Sequence, residues 1–453
     1  MTEVSNSKKS KFNNVIERIN SFLDSIYFPI SLLAIQLLMY FLGLDIFNIA
    51  LISLIISYCF IFKKNQNVLL VVFLFMATMI SVKNSPGVGG PTNEVNGYYF
   101  RPEIYISAII FAAVPVTIAI VNAIRNIVSK RIEIDASFVS TIVLGISFLL
   151  NGIFNTPFNL LNLMYGLFMF FFIVLLYFAI LPNININKEN MKLLAYQVAI
   201  FTLLPIIEVV ACYIRYAATG NNPFTRGNYV FVGWGNRNTV GMIMLVVLSI
   251  VFYAVKYETN KTLKAILWTL TVLSIGVVIL TFSRQAYIGL LILISLYFFI
   301  MLVRAPKEKK KRRTIHLLTW LLGSISFLLV FQFSGIFDFV GFDINLSNRL
   351  PLWKKGIDAY ISNPLFGQGF YFLGGDKIVR VESLIPLFTH NTIIEMFAAC
   401  GLFGGMSYLM YRFITTYKIY HTMNKEKAYP VMACSIFLII SFNSLVGLST
   451  GAK

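Results

Sequence analysis

Apolar runs of membrane-crossing length alternate with short polar connectors along almost the whole chain. The runs fall at about 27–44, 45–62, 67–82, 104–124, 137–153, 159–181, 193–214, 239–255, 265–282, 286–303, 315–335, 389–413 and 429–448. Most come near the ~20 residues a helix needs to cross the hydrocarbon core. The pattern predicts an all-α integral membrane protein, a polytopic bundle of about 12–13 transmembrane helices. No internal repeat stands out. The first 26 residues are polar and basic, and the run after them lacks a small-residue cleavage site, so a retained span is expected there.

One stretch interrupts the alternation. Ile336–Thr389 is too long and too polar for a connector. Within it Pro351 can start a helix, and Trp353, Ile357, Tyr360 and Ile361 then share one face before Asn363-Pro364 ends it. An amphipathic helix of this kind suits a membrane–water boundary. Three regions follow: a transmembrane bundle over 1–335 with about eleven spans, a partly helical loop over 336–389, and C-terminal transmembrane helices over 390–453.

Composition agrees with the pattern. Hydrophobic residues make up 58% of the chain, charged residues 12%, and mean hydropathy is +0.77, whereas a soluble domain carries about 25% charged residues. The net charge of +18 would suggest nucleic acid in a soluble protein. Here the basic residues fill every second connector, from Lys8–Arg18 and Lys63-Lys64 to Arg304–Arg313 and Lys418–Lys427, while Ile336–Thr389 balances five basic against five acidic residues. Lys/Arg bias therefore places the N-terminus in the cytoplasm and the long loop outside, and no nucleic-acid partner is expected. The four cysteines lie in apolar runs without paired spacing, which indicates neither disulfides nor a metal site.

Candidate chemistry gathers on the outer side. Connector Arg215–Asn238 carries Arg215, Arg226 and Arg237 and no acid, with Tyr229, Phe231 and Trp234 interleaved. Glu208 and Arg215 also lie within or at the end of a span, where ionisable residues are expensive and usually functional. Arginines beside aromatic faces suit a sugar carrying phosphate, although a tolerated solvated loop and interfacial anchoring by Trp and Tyr are the ordinary alternatives. Arg284 sits between two spans with almost no loop, where it can bind an anion or snorkel to headgroups. Arg349 opens the helical part of the long loop. His390, one of three histidines, stands beside Asn391 where that loop re-enters apolar sequence, and suits proton transfer. Glu395 shares a helix face with Asn391, not with His390. No aspartate-rich metal motif or nucleotide-binding glycine loop is present. The set fits departure of an anionic group, stabilised by positive charge, under attack by a hydroxyl that one base activates.

At these residues the sequence resembles the O-antigen ligase and Wzy-type polysaccharide polymerase superfamily of bacterial inner membranes. Arg349-x3-Trp353-x9-Asn363-Pro364-Leu365-x-Gly367-x-Gly369, His390-Asn391 and Gly401-x2-Gly404 are similar to its C-terminal signature. Thr281-x-Ser283-Arg284 and Gly235-Asn236-Arg237-Asn238 resemble its upstream elements. The resemblance covers roughly Gly235–Gly405. It implies a GT-C-like, metal-independent glycosyltransferase without cofactor, acting at the outer face of the cytoplasmic membrane. The donor would be an oligosaccharide on undecaprenyl diphosphate, with a flippase and a chain-length regulator as further partners. By position, Arg284 matches the arginine expected to hold diphosphate and His390 the expected base. Arg215, Arg226, Arg237, Arg349, Trp353 and Asn391 are the expected substrate contacts. The first reading is a polymerase of a surface polysaccharide (O-antigen, capsule or exopolysaccharide). The alternative is a ligase transferring the glycan to lipid A–core. A flippase or exporter is disfavoured, because repeat symmetry is missing and the candidates cluster at one face.

Overall fold

The computed structural model describes residues 2–81, 102–132, 134–154, 158, 160–185, 187–220, 230–235, 237–303, 306–333, 350–369, 371–373, 384–386 and 391–425. Every apolar run between 27 and 413 contains a helix, and the run at 429–448 lies outside the described residues. The helices begin with α1 (Thr2–Leu23), α2 (Tyr27–Leu42), α3 (Asp45–Phe62) and α4 (Val68–Ala77). Then come α5 (Pro102–Val128), α6 (Ala136–Phe154), α7 (Leu160–Leu175), α8 (Lys188–Phe201) and α9 (Leu203–Ala218). After these follow α10 (Arg237–Tyr257), α11 (Lys261–Leu280), α12 (Arg284–Val303) and α13 (Lys307–Phe333). The chain continues with α14 (Leu350–Ser362), a two-stranded antiparallel ribbon of β1 (Tyr371–Leu373) and β2 (Leu384–Pro386), and α15 (Thr392–Lys425).

Among the described residues eight helices are long and apolar enough to cross a membrane, or nine if the bent pair α1–α2 forms one span. The protein is thus an all-α, multi-pass membrane protein whose only described strands are the short ribbon. The expected run 67–82 yields a helix of only 10 residues, too short to span.

The chain divides into two compact units, residues 1–122 with 183–290 and residues 123–182 with 291–451. In the first, α10 is the central helix. Met244, Leu245 and Leu248 on it are fully buried, and α8 and α11 pack along it. Phe75 of α4 meets Phe201 of α8 edge to face at 5.0 Å. The expected single run at 193–214 is one span, Glu189–Ala218, in which α8 and α9 join at Thr202, itself helical (φ −56°, ψ −27°). Pro205 lacks the N–H that would reach back to Phe201, so the helical ladder cannot continue unbroken. Buried amides tie helices together where lipid supplies no hydrophobic drive: Gln36 donates to Asn48, and Asn48 to the carbonyl of Met79, at 3.0 and 2.9 Å.

In the second unit α6 and α7 approach backbone to backbone. A Cβ on Gly166 would stand 2.4 Å from the carbonyl oxygen of Phe148, so only the smallest side chain fits there. α15 packs on α6, and α14 packs on α15.

Candidate functional site

In the first unit the two upstream motifs meet. Ser283 Oγ donates to Asn238 Oδ1 at 2.7 Å, and Arg237 Nη1 donates to the carbonyl of Phe282 at 3.3 Å. α10 begins at Arg237 and α12 at Arg284, so the hydrogen bonds bring together two helix N-termini that each open on an arginine. Such a start opposes the usual preference, because the helix dipole is positive at this end and favours anions there. Ser283 caps α12, its Oγ accepting from Ala286 N–H at 3.3 Å.

The turn carrying Arg284 is held from several sides. Phe282 lies at φ 48°, a left-handed conformation that costs a non-glycine residue about 1–3 kcal/mol. Tyr287 donates to the carbonyl of Ile279 at 2.6 Å, Tyr213 donates to that of Leu280, and Thr281 Oγ1 donates to that of Val278 at 2.7 Å. With Arg237 on Phe282, the carbonyls of Ile279, Leu280 and Phe282 are taken by side chains of α12, α9 and α10. The backbone position of Arg284 at the head of α12 is therefore fixed within the fold.

The connector Arg215–Asn238 is not a solvated loop over its whole length. Val230, Val232 and Trp234 are buried, and Trp234 Nε1 donates to the carboxylate oxygen Oε2 of Glu208 at 2.7 Å. Trp234 is therefore neither an interfacial anchor nor an exposed stacking surface, because its ring is enclosed and its N–H is engaged. Arg215 stands exposed in the last turn of α9, where a cation suits the helix dipole. Arg226 lies outside the described residues.

In the second unit the Asn363–Gly369 motif docks into a break in α15. The break falls at Gly401 (φ 63°, ψ −162°). Gln368 and Gly369 donate their N–H groups to the carbonyls of Ala398 and Ala399, each at 2.9 Å. Leu402 N–H donates to Pro364 O at 2.7 Å and Phe403 N–H to Leu365 O at 3.5 Å. Asn151 of α6 donates to the carbonyls of both Phe366, at 2.8 Å, and Ala399. Asn363 closes its own turn, exchanging bonds of 2.8 and 2.9 Å with the backbone of Gly367. Asn151 was not singled out by any motif. A lone amide within an otherwise apolar run was the signal available.

Asn391 is the N-cap of α15, accepting from Ile393 and Ile394 N–H at 3.0 and 3.3 Å. Trp353 is half-buried on α14, and its enclosed Nε1 has no hydrogen-bond partner among the described residues. α14 docks through its small residues Gly356 and Ala359, the latter against Ala398, while Tyr360 meets Phe397 edge to face at 5.6 Å. Ile357 and Ile361, expected on one face with Trp353 and Tyr360, stay exposed. Arg349 and His390 lie outside the described residues, as does the side chain of Arg284. Among the described residues, no three of His, Cys, Asp and Glu converge as metal ligands.

Residues 269–409 match the family model described as O-antigen ligase. The chain carries an O-antigen ligase family domain. This family domain takes in the Thr281–Arg284 turn, the docked Asn363–Gly369 loop, His390-Asn391 and the break at Gly401. Gly235–Asn238, Arg215 and Glu208 lie before it. Over residues 269–409 the match bears out the resemblance read from the motifs, and it supports ligase- or polymerase-type function in general. No curated protein matches the chain.

Proposed function

We propose that this protein is a metal-independent glycosyltransferase that polymerises a surface polysaccharide at the outer face of the bacterial cytoplasmic membrane. The observation that carries the reading is the paired, arginine-headed starts of α10 and α12, fastened by Ser283 on Asn238. Two positive helix ends, each opening on an arginine, suit a diphosphate. The donor is then a glycan on undecaprenyl diphosphate. The acceptor hydroxyl oxygen attacks the anomeric carbon, and the bond from that carbon to the diphosphate breaks. Its electron pair leaves on the lipid diphosphate, which Arg284 and Arg237 stabilise. The hydroxyl proton passes to His390. Arg215, Arg226 and Arg349 contribute further anion contacts. Trp353 offers an uncommitted donor to the acceptor sugar, and the Asn391 cap sets the start of the helix directly after His390.

The alternative is the ligase reading, transfer to lipid A–core, which the matching family model supports equally. Lipid-linked glycans in a deletion strain separate the two. Single repeat units accumulating on carrier lipid indicate a polymerase, and full-length chains on carrier lipid indicate a ligase. An unchanged lipid-linked pool would overturn both.

A further inference from the structure

Glu208 is fully buried in α9 and lies outside the family domain. A carboxyl group at membrane depth is a costly way to fill space. One of its oxygens, Oε2, accepts from Trp234, and the other, Oε1, has no hydrogen-bond partner among the described residues. Trp234 belongs to a segment, residues 230–235, that is buried except at the half-buried Phe231. Val230 and Val232 are fully enclosed, Cys212 Sγ donates to the carbonyl of Phe231 at 3.5 Å, and Gly233 at φ 81° lies against the backbone of Ile80 and Ser81. Three residues beyond Trp234 comes Arg237, at the start of α10. The route from Glu208 to the head of α12 is therefore one hydrogen bond, a few residues of chain, and the bonds of Arg237 and Asn238 to Phe282 and Ser283.

We infer that Glu208 is a positioning residue: by holding Trp234 it sets where α10 begins, and so holds Arg237 and Asn238 against the turn that presents Arg284. The inference rests on the transferase reading for its purpose, but its geometry can be tested without it. Glu208 touches no substrate in this account. What it supplies is a fixed acceptor for one indole N–H. An amide oxygen supplies the same acceptor, so Glu208→Gln should preserve the arrangement, whereas Glu208→Ala removes it. Trp234→Phe keeps an aromatic ring, though a smaller one, and removes the donor.

The test uses full-length protein in lipid nanodiscs, with its four native cysteines replaced by alanine and cysteines introduced as Asn238→Cys and Ser283→Cys. Oxidant-driven cross-linking between the two reads the approach of α10 to the turn. Glu208→Ala and Trp234→Phe should slow cross-linking about tenfold, and Glu208→Gln should leave it unchanged. In transfer assays on the native-cysteine protein, Glu208→Ala should raise the donor KM and lower kcat, with rescue by Gln. Equal cross-linking rates in all variants would overturn the inference. So would a Glu208→Ala protein that is recovered in lower amount but turns over normally, since that marks a purely structural role. If the unmodified protein transfers no glycan while cross-linking still depends on Glu208, the inferred latch stands and the transferase reading falls.

Discussion

The backbone N–H of Leu402 donates to the carbonyl of Pro364 at 2.7 Å. In an unbroken helix it would go to Ala398, four residues back. Phe403 likewise donates to Leu365 in place of Ala399. The two carbonyls left over, at Ala398 and Ala399, accept instead from Gln368 and Gly369. The loop thus supplies both halves of each pair that the break at Gly401 removes. Unpaired backbone groups within a membrane cost several kcal/mol each, so the break and the Asn363–Gly369 loop require one another. This gives a physical reason for a motif that carries no reactive side chain.

Gly401→Ala should be among the most destabilising single changes in the chain. Its φ and ψ fall in a region that is essentially glycine-only, and a Cβ there would lie 2.3 Å from the carbonyl oxygen of Leu365. We expect a loss of about 3 kcal/mol or more, measured by detergent-titrated unfolding. Gly276→Ala on α11 is the control, because its Cβ would meet nothing within 4 Å. Equal stability of the two variants would contradict the account of the break.

Asn151→Ala should loosen the docked loop without unfolding the helices. It strips the carbonyl of Phe366 of its side-chain donor and removes one of two donors to Ala399. The expected cost is about 1–2 kcal/mol, above the ~0.6 typical of a single interhelical bond in a membrane because two acceptors are involved. Hydrogen exchange at the Gln368 and Gly369 amides should accelerate by about tenfold, while exchange along α6 stays unchanged. Unaltered exchange at both amides would show that Asn151 does not hold the loop.

The contrast between these positions shows what hydropathy makes legible. Segments such as Asp45–Phe62 and Arg237–Tyr257 follow from length and apolarity alone, because a bilayer admits few alternatives to a helix. Breaks within a run are harder. Gly401 and Pro205 are visible as residue types, but glycine also occurs unbroken in membrane helices, as at Gly276. The partners of a break are harder still, since Asn151 reaches carbonyls 215 and 248 residues away. Glu208 was singled out by its depth. Its partner Trp234 was read as outer-loop surface, because nothing in local sequence says that a connector turns inward. The meeting of Asn238 with Ser283, 45 residues apart, was not legible either, because the two motifs stand in sequence only as separate elements.

We propose the sidedness from the alternation of basic connectors. Lys310 and Lys355 are both exposed, the first in the basic opening turns of α13 and the second on α14. In a cysteine-free background, Lys355→Cys should react with an impermeant thiol reagent added to intact cells, and Lys310→Cys should react only after lysis. The reverse pattern would place the long loop in the cytoplasm and remove the basis for an outer-face reaction.

Arg284→Ala should nearly abolish chain growth while the protein still accumulates in the membrane. Loss of one preorganised charge stabiliser typically costs ~3 kcal/mol, or on the order of a hundredfold in rate. Arg284→Lys should recover only part, because it keeps the charge and loses the planar fork. The turn is held by bonds from Tyr213, Arg237, Thr281 and Tyr287, so the backbone there should survive the change. Normal product from well-expressed Arg284→Ala would reduce the residue to a membrane anchor.

His390 is the proposed base, and its test is kinetic. A sugar hydroxyl is a poor nucleophile, so a positioned base should be worth roughly a hundredfold or more. The imidazole must be neutral to accept the proton. The rate should therefore fall as pH drops through the histidine pKa, which is about 6.5 when unperturbed. His390→Ala should still bind donor, because the diphosphate contacts lie with the arginines, yet fail at transfer. His390→Gln keeps hydrogen bonding without basicity and should fail as well, retaining the donor KM and losing kcat. Near-normal turnover by the Gln variant in a reconstituted assay would make His390 an acceptor-positioning residue. An acid limb that persists unchanged in that variant would assign the titration to another group.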